Sequence, residues 1–531
     1  MRTTILFAFV ALVGLSALAQ PGSTFTTSFD PNPQNMFQAD KGYLLWSIGK
    51  YVYVINGFIK NGNSDRKNQV YMIDADTRQI IKEIEFDGPQ GDMAITAYWI
   101  TSDGYILLSG EWRDKAANFT MRMFLAKLNP DLEIVWINYY PDLSANYLYS
   151  EGITETANGN YFLYLVEAPA PEPHPTSELS VVKTDTSGTI LMYKILTDTF
   201  TQTAGYGDIT PTDDGFFLIS SFAIDYYYHP VLGTYRYIAF LHKIDAAGNQ
   251  LWTRSLNYAK IDNQPPHSTS LAGGSGTVVW MKDTITVDPE IAWNFILLYG
   301  FDSAGNIVWT HEWNKWPYKI ITSIKEANNG DIIGTGFYSA GGLPNKGKGM
   351  VFLLSNSGEL YWERFYSDSL LRPWAPQMEL LDVCEMEDGR IAATGLVFDY
   401  NGEGVPWNPN VVLLVIDSEG CFVPGCAGTT QYVTATSEPI FKFDNLPALG
   451  FSPNPSSGPT LVSLPESLAA AGGAFELRCY AANGQLLERY DWPSGAPSLQ
   501  INEQRADGLC YLFLYDKRGL PVASGKVFFQ R

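Results

Sequence analysis

Histidine and cysteine are scarce in this chain, five of each in 531 residues, and those present follow no metal-site spacing. Positive charge is short as well: 35 Lys and Arg face 56 Asp and Glu, a formal net charge of −21, with no basic run. That excludes nucleic acid as a partner, because neutralising phosphates requires clustered cations. Helical periodicity is missing at any length. No apolar stretch approaches the roughly 20 residues of a membrane-spanning helix, so no transmembrane anchor is expected. Gly-x-Ser-x-Gly, His-Glu-x-x-His and phosphate-loop signatures are absent too. Acid/base residues brought together only by folding leave no linear trace.

What is present begins with a targeting signal over residues 1–19. Arg2 gives a positive start, Ile5 to Leu15 a short apolar core, and Ala17-Leu18-Ala19 a small-x-small cleavage site. The mature chain is expected from Gln20, outside the cytoplasm. Its length exceeds one core, and 46% hydrophobic residues mark it as globular. In an oxidising compartment Cys421 and Cys426 can clip a small loop, and Cys479 with Cys510 is a second candidate pair. Cys384 is left over and reads as a buried apolar residue.

The body of the chain repeats. Phe301-Asp302-Ser303-Ala304-Gly305-Asn306-Ile307-Val308-Trp309 is a tight turn leading into an apolar strand with a Trp. Related turns open at 74, 129, 185, 245, 302, 355 and 417, separated by 55, 56, 60, 57, 53 and 62 residues. A second landmark, polar-Gly before an apolar run, falls between them: Asp103-Gly104, Asn158-Gly159, Asp214-Gly215, Ser275-Gly276, Asn329-Gly330, Asp388-Gly389 and, more loosely, Ile48-Gly49. Such dipeptides signal hairpins, with positive φ expected at both central residues. Two turns and four strands per unit, repeated seven times, predict an all-β, seven-bladed β-propeller over 20–426. In the sixth unit the strands are expected at Ile320–Ala327, Asp331–Tyr338, Met350–Ser355 and Leu360–Tyr366. Trp136, Trp252, Trp309 and Trp362 recur at one position, as wedges between blades would. The last unit lacks a fourth strand, and Thr24–Phe29 is expected to supply it and hide the open edge. The Asp-x-x-Gly-x-x-x-Trp rhythm resembles the tryptophan-docking repeats of quinoprotein-like propellers, a resemblance that implies fold more than activity.

A linker over 427–445 precedes a different pattern. Short strands around Leu477–Leu487 and Ala506–Leu514, separated by turns, predict a small β-sandwich over 446–531. Pro453-Asn454-Pro455, the Asn483-Gly484 turn, Gly508 followed by Tyr511, and a final strand carrying Lys526 occur in the order of a known module. This region resembles the C-terminal sorting domain of the type IX secretion system of Bacteroidetes-like bacteria. The resemblance implies the secretion machinery and its sortase as partners, and a location outside the cell or on the outer-membrane surface.

Both kinds of short turn lie on one face of the ring, so the long connections lie on the other, where function usually sits. Trp112, Tyr226, Tyr227, Tyr228, Trp293, Trp316, Trp374 and Trp407 fall in or beside those connections and are the ligand-binding candidates, suited to stacking on a glycan or other extended polymer. His229 and His267 could meet there. No cofactor is expected. Asn61-Gly62-Asn63-Ser64-Asp65 alternates oxygen ligands for calcium but lacks the later Glu of a complete loop. The leading expectation is a non-catalytic surface binding or adhesion protein. The alternatives are an extracellular hydrolase or lyase acting on polysaccharide or peptide at the mouth of the ring, and an architectural surface-layer part. Two or more carboxylates or histidines clustered at the mouth would mark the enzyme; an exposed aromatic strip without them would mark binding.

Overall fold

The structure, a computed structural model, describes residues 25–29, 41–59, 66–89, 92–114, 120–141, 143, 147–168, 178–196, 207–229, 234–260, 267–271, 275–284, 293–313, 318–339, 347–367, 377–399, 408–422, 426, 430–432, 447–469, 475–481, 486–501, 508–515 and 521–530. The chain divides into two compact units, Met1–Ile440 and Phe441–Arg531.

Among the described residues, the first unit holds seven antiparallel sheets in chain order. The first runs Lys41–Ile48, Tyr51–Ile59, Arg66–Asp74, Gln79–Phe86. The sixth runs Tyr318–Glu326, Ile332–Ser339, Gly347–Leu354, Leu360–Ser367, within a few residues of the strands expected from sequence. Neighbouring residues of a strand point to opposite faces, and both faces are buried. Leu107 packs towards the third sheet and Leu108 towards the first; Leu297 packs towards the fourth and Leu298 towards the sixth. Core clusters join each sheet to the next, and one joins Val52 and Val54 of the first to Leu413 and Val415 of the seventh. The sheets therefore close into a ring, the arrangement of a β-propeller.

The seventh sheet is completed by the N-terminal strand Phe25–Phe29, which pairs antiparallel with Val411–Val415. A further strand, Thr430–Tyr432, lies parallel on the outer edge of the sixth sheet. Between these two features the Cys421–Cys426 disulfide closes its small loop.

The tryptophans dock on glycines of the following sheet. A Cβ added to Gly305 would come within 2.9 Å of Trp252, and one on Gly420 within 2.7 Å of Trp362. Trp309 does the same at Gly358 and Trp136 at Gly188, while Met192 replaces Trp at Gly248. Trp309 Nε1 also donates to Asn356 O at 2.9 Å. In the two units that lack this glycine, Arg78 and Leu132 take its left-handed conformation, at φ 62° and 56°.

Two expectations about turns need correction. In the polar-Gly turns only the glycine has positive φ, and Gly104 N donates to Thr101 O at 2.8 Å. The turns at Gly104, Gly159, Gly215, Gly330 and Gly389 are three-residue hairpin loops with a glycine bulge, while Gly49-Lys50 forms a two-residue turn between Ile48 and Tyr51. Ser275-Gly276 is not a turn at all, since Ser275 already pairs with Leu271.

The second unit contains a three-stranded sheet (Gly450–Ser452, Thr460–Ser463, Ser498–Ile501) and a four-stranded one (Phe475–Ala481, Leu486–Trp492, Gly508–Tyr515, Pro521–Phe529). Val462 and Ile501 of the first share a core with Leu477, Leu512 and Val527 of the second. Cys479 and Cys510 are buried thiols rather than a disulfide. Cys479 stands opposite Leu512 and Cys510 opposite Ala481, so the two are offset along the ladder.

Candidate functional site in the channel

The first strand of every sheet lines one cavity of about 1200 Å³. Met93–Ile100 contributes along its whole length, joined by Tyr149, Glu151, Gly152, Ile153, Gly207–Pro211, His267–Ser270, Thr322–Glu326, Leu44 and Asp382.

Irregularities in these inner strands aim the polar side chains. Register slips occur between Ile95 and Ala97, Ser150 and Gly152, Ile321 and Ser323, and Leu380 and Asp382. Each leaves one bulged residue: Thr96, Glu151, Thr322 and Leu381. Thr96 Oγ1 donates to Ser150 O of the next sheet, and Thr322 Oγ1 to Leu380 O at 2.7 Å. Glu151 holds the same place in the third sheet, within reach of the charges of Glu111 in the second and Asp208 in the fourth.

Glu151 meets the charges of Glu111 and Asp208. Burial first, then these two carboxylates, hold its carboxyl well above the ordinary glutamate range of 4.5. Tyr164, fully buried, has a hydroxyl without a hydrogen-bond partner, and its pKa is raised by burial, Glu151 and Asp208 in that order. Asp208 is partly exposed and anchored across to the fifth sheet: its Oδ2 accepts from His267 Nδ1 and Ser268 N, both at 3.3 Å. Its backbone N donates to Ser220 Oγ at 3.0 Å.

A second cluster lies where the first, second, sixth and seventh sheets meet. Lys325 Nζ reaches Asp382 Oδ1 at 2.7 Å, Tyr98 Oη at 2.7 Å and Leu45 O at 3.1 Å. Asp382 also accepts from Leu45 N and Ser323 Oγ, both at 2.8 Å, and Tyr98 Oη donates to Leu45 O at 2.6 Å. Burial pulls the Lys325 pKa down, but Asp382, Tyr98 and Cys384 together outweigh it and the ammonium is held above its usual value. Nearby, burial pushes the Cys384 thiol up to about 11, which keeps it protonated and inert.

The aromatic candidates fare differently. Trp112 is only 5% exposed and packs edge-on against Tyr139; its strand continues to Asp114, so it is a core residue, not a loop contact. Tyr226, Tyr227 and Tyr228 belong to strand Phe217–His229, and Trp293 opens strand Trp293–Phe301, rather than lying in loops. The side chains of these four lie outside the described residues, as do Trp316, Trp374, Trp407, the calcium-like segment 61–65 and the Asn483-Gly484 turn. His267 reaches the channel, whereas the side chain of His229 lies outside the description. Among the described residues no group of three or more His, Cys, Asp or Glu is placed to hold a metal ion.

In the second unit several residues of the motif expected from sequence come together on one edge. Asn454, between Pro453 and Pro455, donates from Nδ2 to Lys526 O and accepts from Phe528 N, both at 3.0 Å. Tyr511 stands opposite Lys526, whose Nζ lies 5.3 Å from the centre of its ring. Gly508, at φ 100°, opens the same strand as Tyr511.

No protein-family model matches the chain, and neither does any curated protein sequence. Among solved structures it is similar to a protein of unknown function from Dyadobacter fermentans (10% identity, 61% of this chain and 94% of that one, TM-score 0.36). It is also similar to the NanB sialidase of Streptococcus pneumoniae (8%, 75% and 95%, TM-score 0.42) and to a PL25 ulvan lyase (10%, 72% and 96%, TM-score 0.42). At these scores the likenesses bear neither on this chain's chemistry nor on its substrate.

Proposed function

We propose that the chain is an exported seven-bladed β-propeller that cleaves an extracellular glycan in its channel by general acid–base catalysis. This places the enzyme ahead of the non-catalytic adhesion expected from sequence. One observation carries it: Glu151 lines a cavity large enough for a sugar chain, and burial with the Glu111 and Asp208 carboxylates raises its affinity for a proton. A surface that only adheres gains nothing from that arrangement.

In this reading Glu151 gives its proton to the glycosidic oxygen as the C–O bond breaks. Asp208, steadied by His267 and Ser268, takes a proton from the attacking water. The loop aromatics Trp316, Trp374 and Trp407 would hold the chain as it enters. Export rests on the signal over 1–19 and on a C-terminal β-sandwich sorting domain, supported by the gathering of Asn454, Tyr511 and Lys526 on one edge.

Reducing-end release from a polysaccharide panel tests the activity. The full chain is expected to cleave at least one member, and Glu151→Gln to lose about 10²–10⁴-fold. Retention of a polysaccharide without turnover would restore the adhesion reading. Export is tested separately by deleting 446–531; normal arrival of the truncated chain in the medium would contradict the sorting assignment.

A further inference from the structure

Strand length singles out one pair of side chains in the channel. The inner strands of the fourth and fifth sheets have three and five residues, against eight or nine in the other five. Asp208 immediately precedes the shorter of these two, and His267 opens the other. Both therefore stand towards the end of the channel away from the short turns, and both line the cavity. Asp208 Oδ2 and His267 Nδ1 meet at 3.3 Å.

The surroundings fix which ring nitrogen is free. A carboxylate only accepts, so the imidazole hydrogen belongs on Nδ1. Asp208 is held in place for this: Ser268 N donates to the same Oδ2 at 3.3 Å, and the Asp208 backbone N donates to Ser220 Oγ, which also accepts from Ser268 Oγ at 3.2 Å. The lone pair of the neutral ring is then on Nε2. Nε2 has no partner among the described residues and is not sealed in the core, the side chain keeping 20% of its surface exposed. The buried His242 shows the opposite case, with Ser221 Oγ at 2.9 Å from one nitrogen and Thr253 Oγ1 at 3.0 Å from the other.

We infer that Asp208 and His267 form an oriented base in the channel, with His267 Nε2 as the proton acceptor and Asp208 as the positioning residue that holds its ring. This rests on reading the channel as the cleavage site and sharpens its base: the pair acts, not the carboxylate alone. As the water oxygen bonds to the anomeric carbon, its O–H bond breaks and the proton goes to Nε2, while the glycosidic oxygen leaves with the proton of the acid. Asp208 offsets the charge of the imidazolium, which then returns its proton to solvent, from which the acid regains its own.

Nitrogen-15 NMR of the full chain labelled in histidine tests it, with the His267 signals identified by their loss in His267→Gln. In mildly alkaline buffer the wild type is expected to carry hydrogen on Nδ1 and none on Nε2, and Asp208→Ala to lose that preference. On the polysaccharide that the full chain cleaves, His267→Gln should lower kcat by about 10²–10⁴-fold, with KM and melting temperature held. Hydrogen on Nε2 in the wild type, or an unchanged tautomer in Asp208→Ala, would overturn the inference. So would full turnover in His267→Gln beside a loss in Asp208→Ala, which would leave the carboxylate alone as the base. A bare Nε2 in a chain that cleaves no polysaccharide would uphold the oriented pair and reject catalysis; turnover lost in Glu151→Gln but kept in His267→Gln would do the reverse.

Discussion

On one side of the channel Lys325, Asp382, Tyr98 and the backbone of Leu45 satisfy one another. On the other, burial and two neighbouring carboxylates raise the Glu151 pKa, Tyr164 Oη has no partner, and Asp208 is partly exposed. Both clusters grow from the same device, polar residues at or beside bulges of inner strands. The difference lies in completion. A completed network ties four sheets together and leaves no free valence, whereas an incomplete one stores unmet hydrogen bonds and a displaced pKa for a ligand to use.

The sharpest way to break the comparison is to swap one atom pair on the incomplete side. Glu151→Gln removes the transferable proton while keeping the shape, so turnover should fall by about 10²–10⁴-fold with the fold intact. On the completed side the effect moves from activity to stability. Asp382→Ala strands the Lys325 ammonium and Leu45 N, with an expected loss of about 3 kcal/mol in urea unfolding and unchanged turnover per folded molecule.

The ring's scaffold gives smaller effects that calibrate these. Reducing Cys421–Cys426, or replacing both by Ser, should cost about 2 kcal/mol on the chain-entropy account of so short a loop, and leave turnover alone. Gly305→Ala forces a Cβ into Trp252 at a φ of +78°, and urea unfolding should show a loss of about 1–2 kcal/mol.

Acidity separates the two sides again. Because Glu151 is raised in the folded chain, the folded state binds more protons than the unfolded one above the ordinary value of 4.5. Its contribution to stability is therefore full below that value and is lost as pH rises through the raised one. Urea midpoints measured across that range should decline with pH in the wild type, and less steeply in Glu151→Gln.

Much of the scaffold was legible because it is local and repeated. The glycine of each Asp-x-x-Gly turn and the Trp seven residues after its Asp sit close together in sequence and found their expected places; the strand at 25–29 was legible for another reason, because counting strands per repeat left the last unit one short. The acidic cluster was not legible, since Glu111, Glu151 and Asp208 come from different units and nothing local links them. Superposing the units would have helped: Glu151 occupies the bulge that Thr96 and Thr322 fill elsewhere. Trp112 misled because a strand outlasted its expected end, turning a presumed loop ring into core. Ser275-Gly276 misled because the turn had already been made upstream of it.

The most direct measurement puts Glu151→Gln and Asp382→Asn side by side, recording glycan turnover and melting temperature for each. The two variants should cross: Glu151→Gln loses turnover and melts no lower than wild type, while Asp382→Asn melts lower and keeps its turnover. Full turnover in Glu151→Gln, or a melting loss as large as that of Asp382→Asn, would show that both clusters are mere scaffolding.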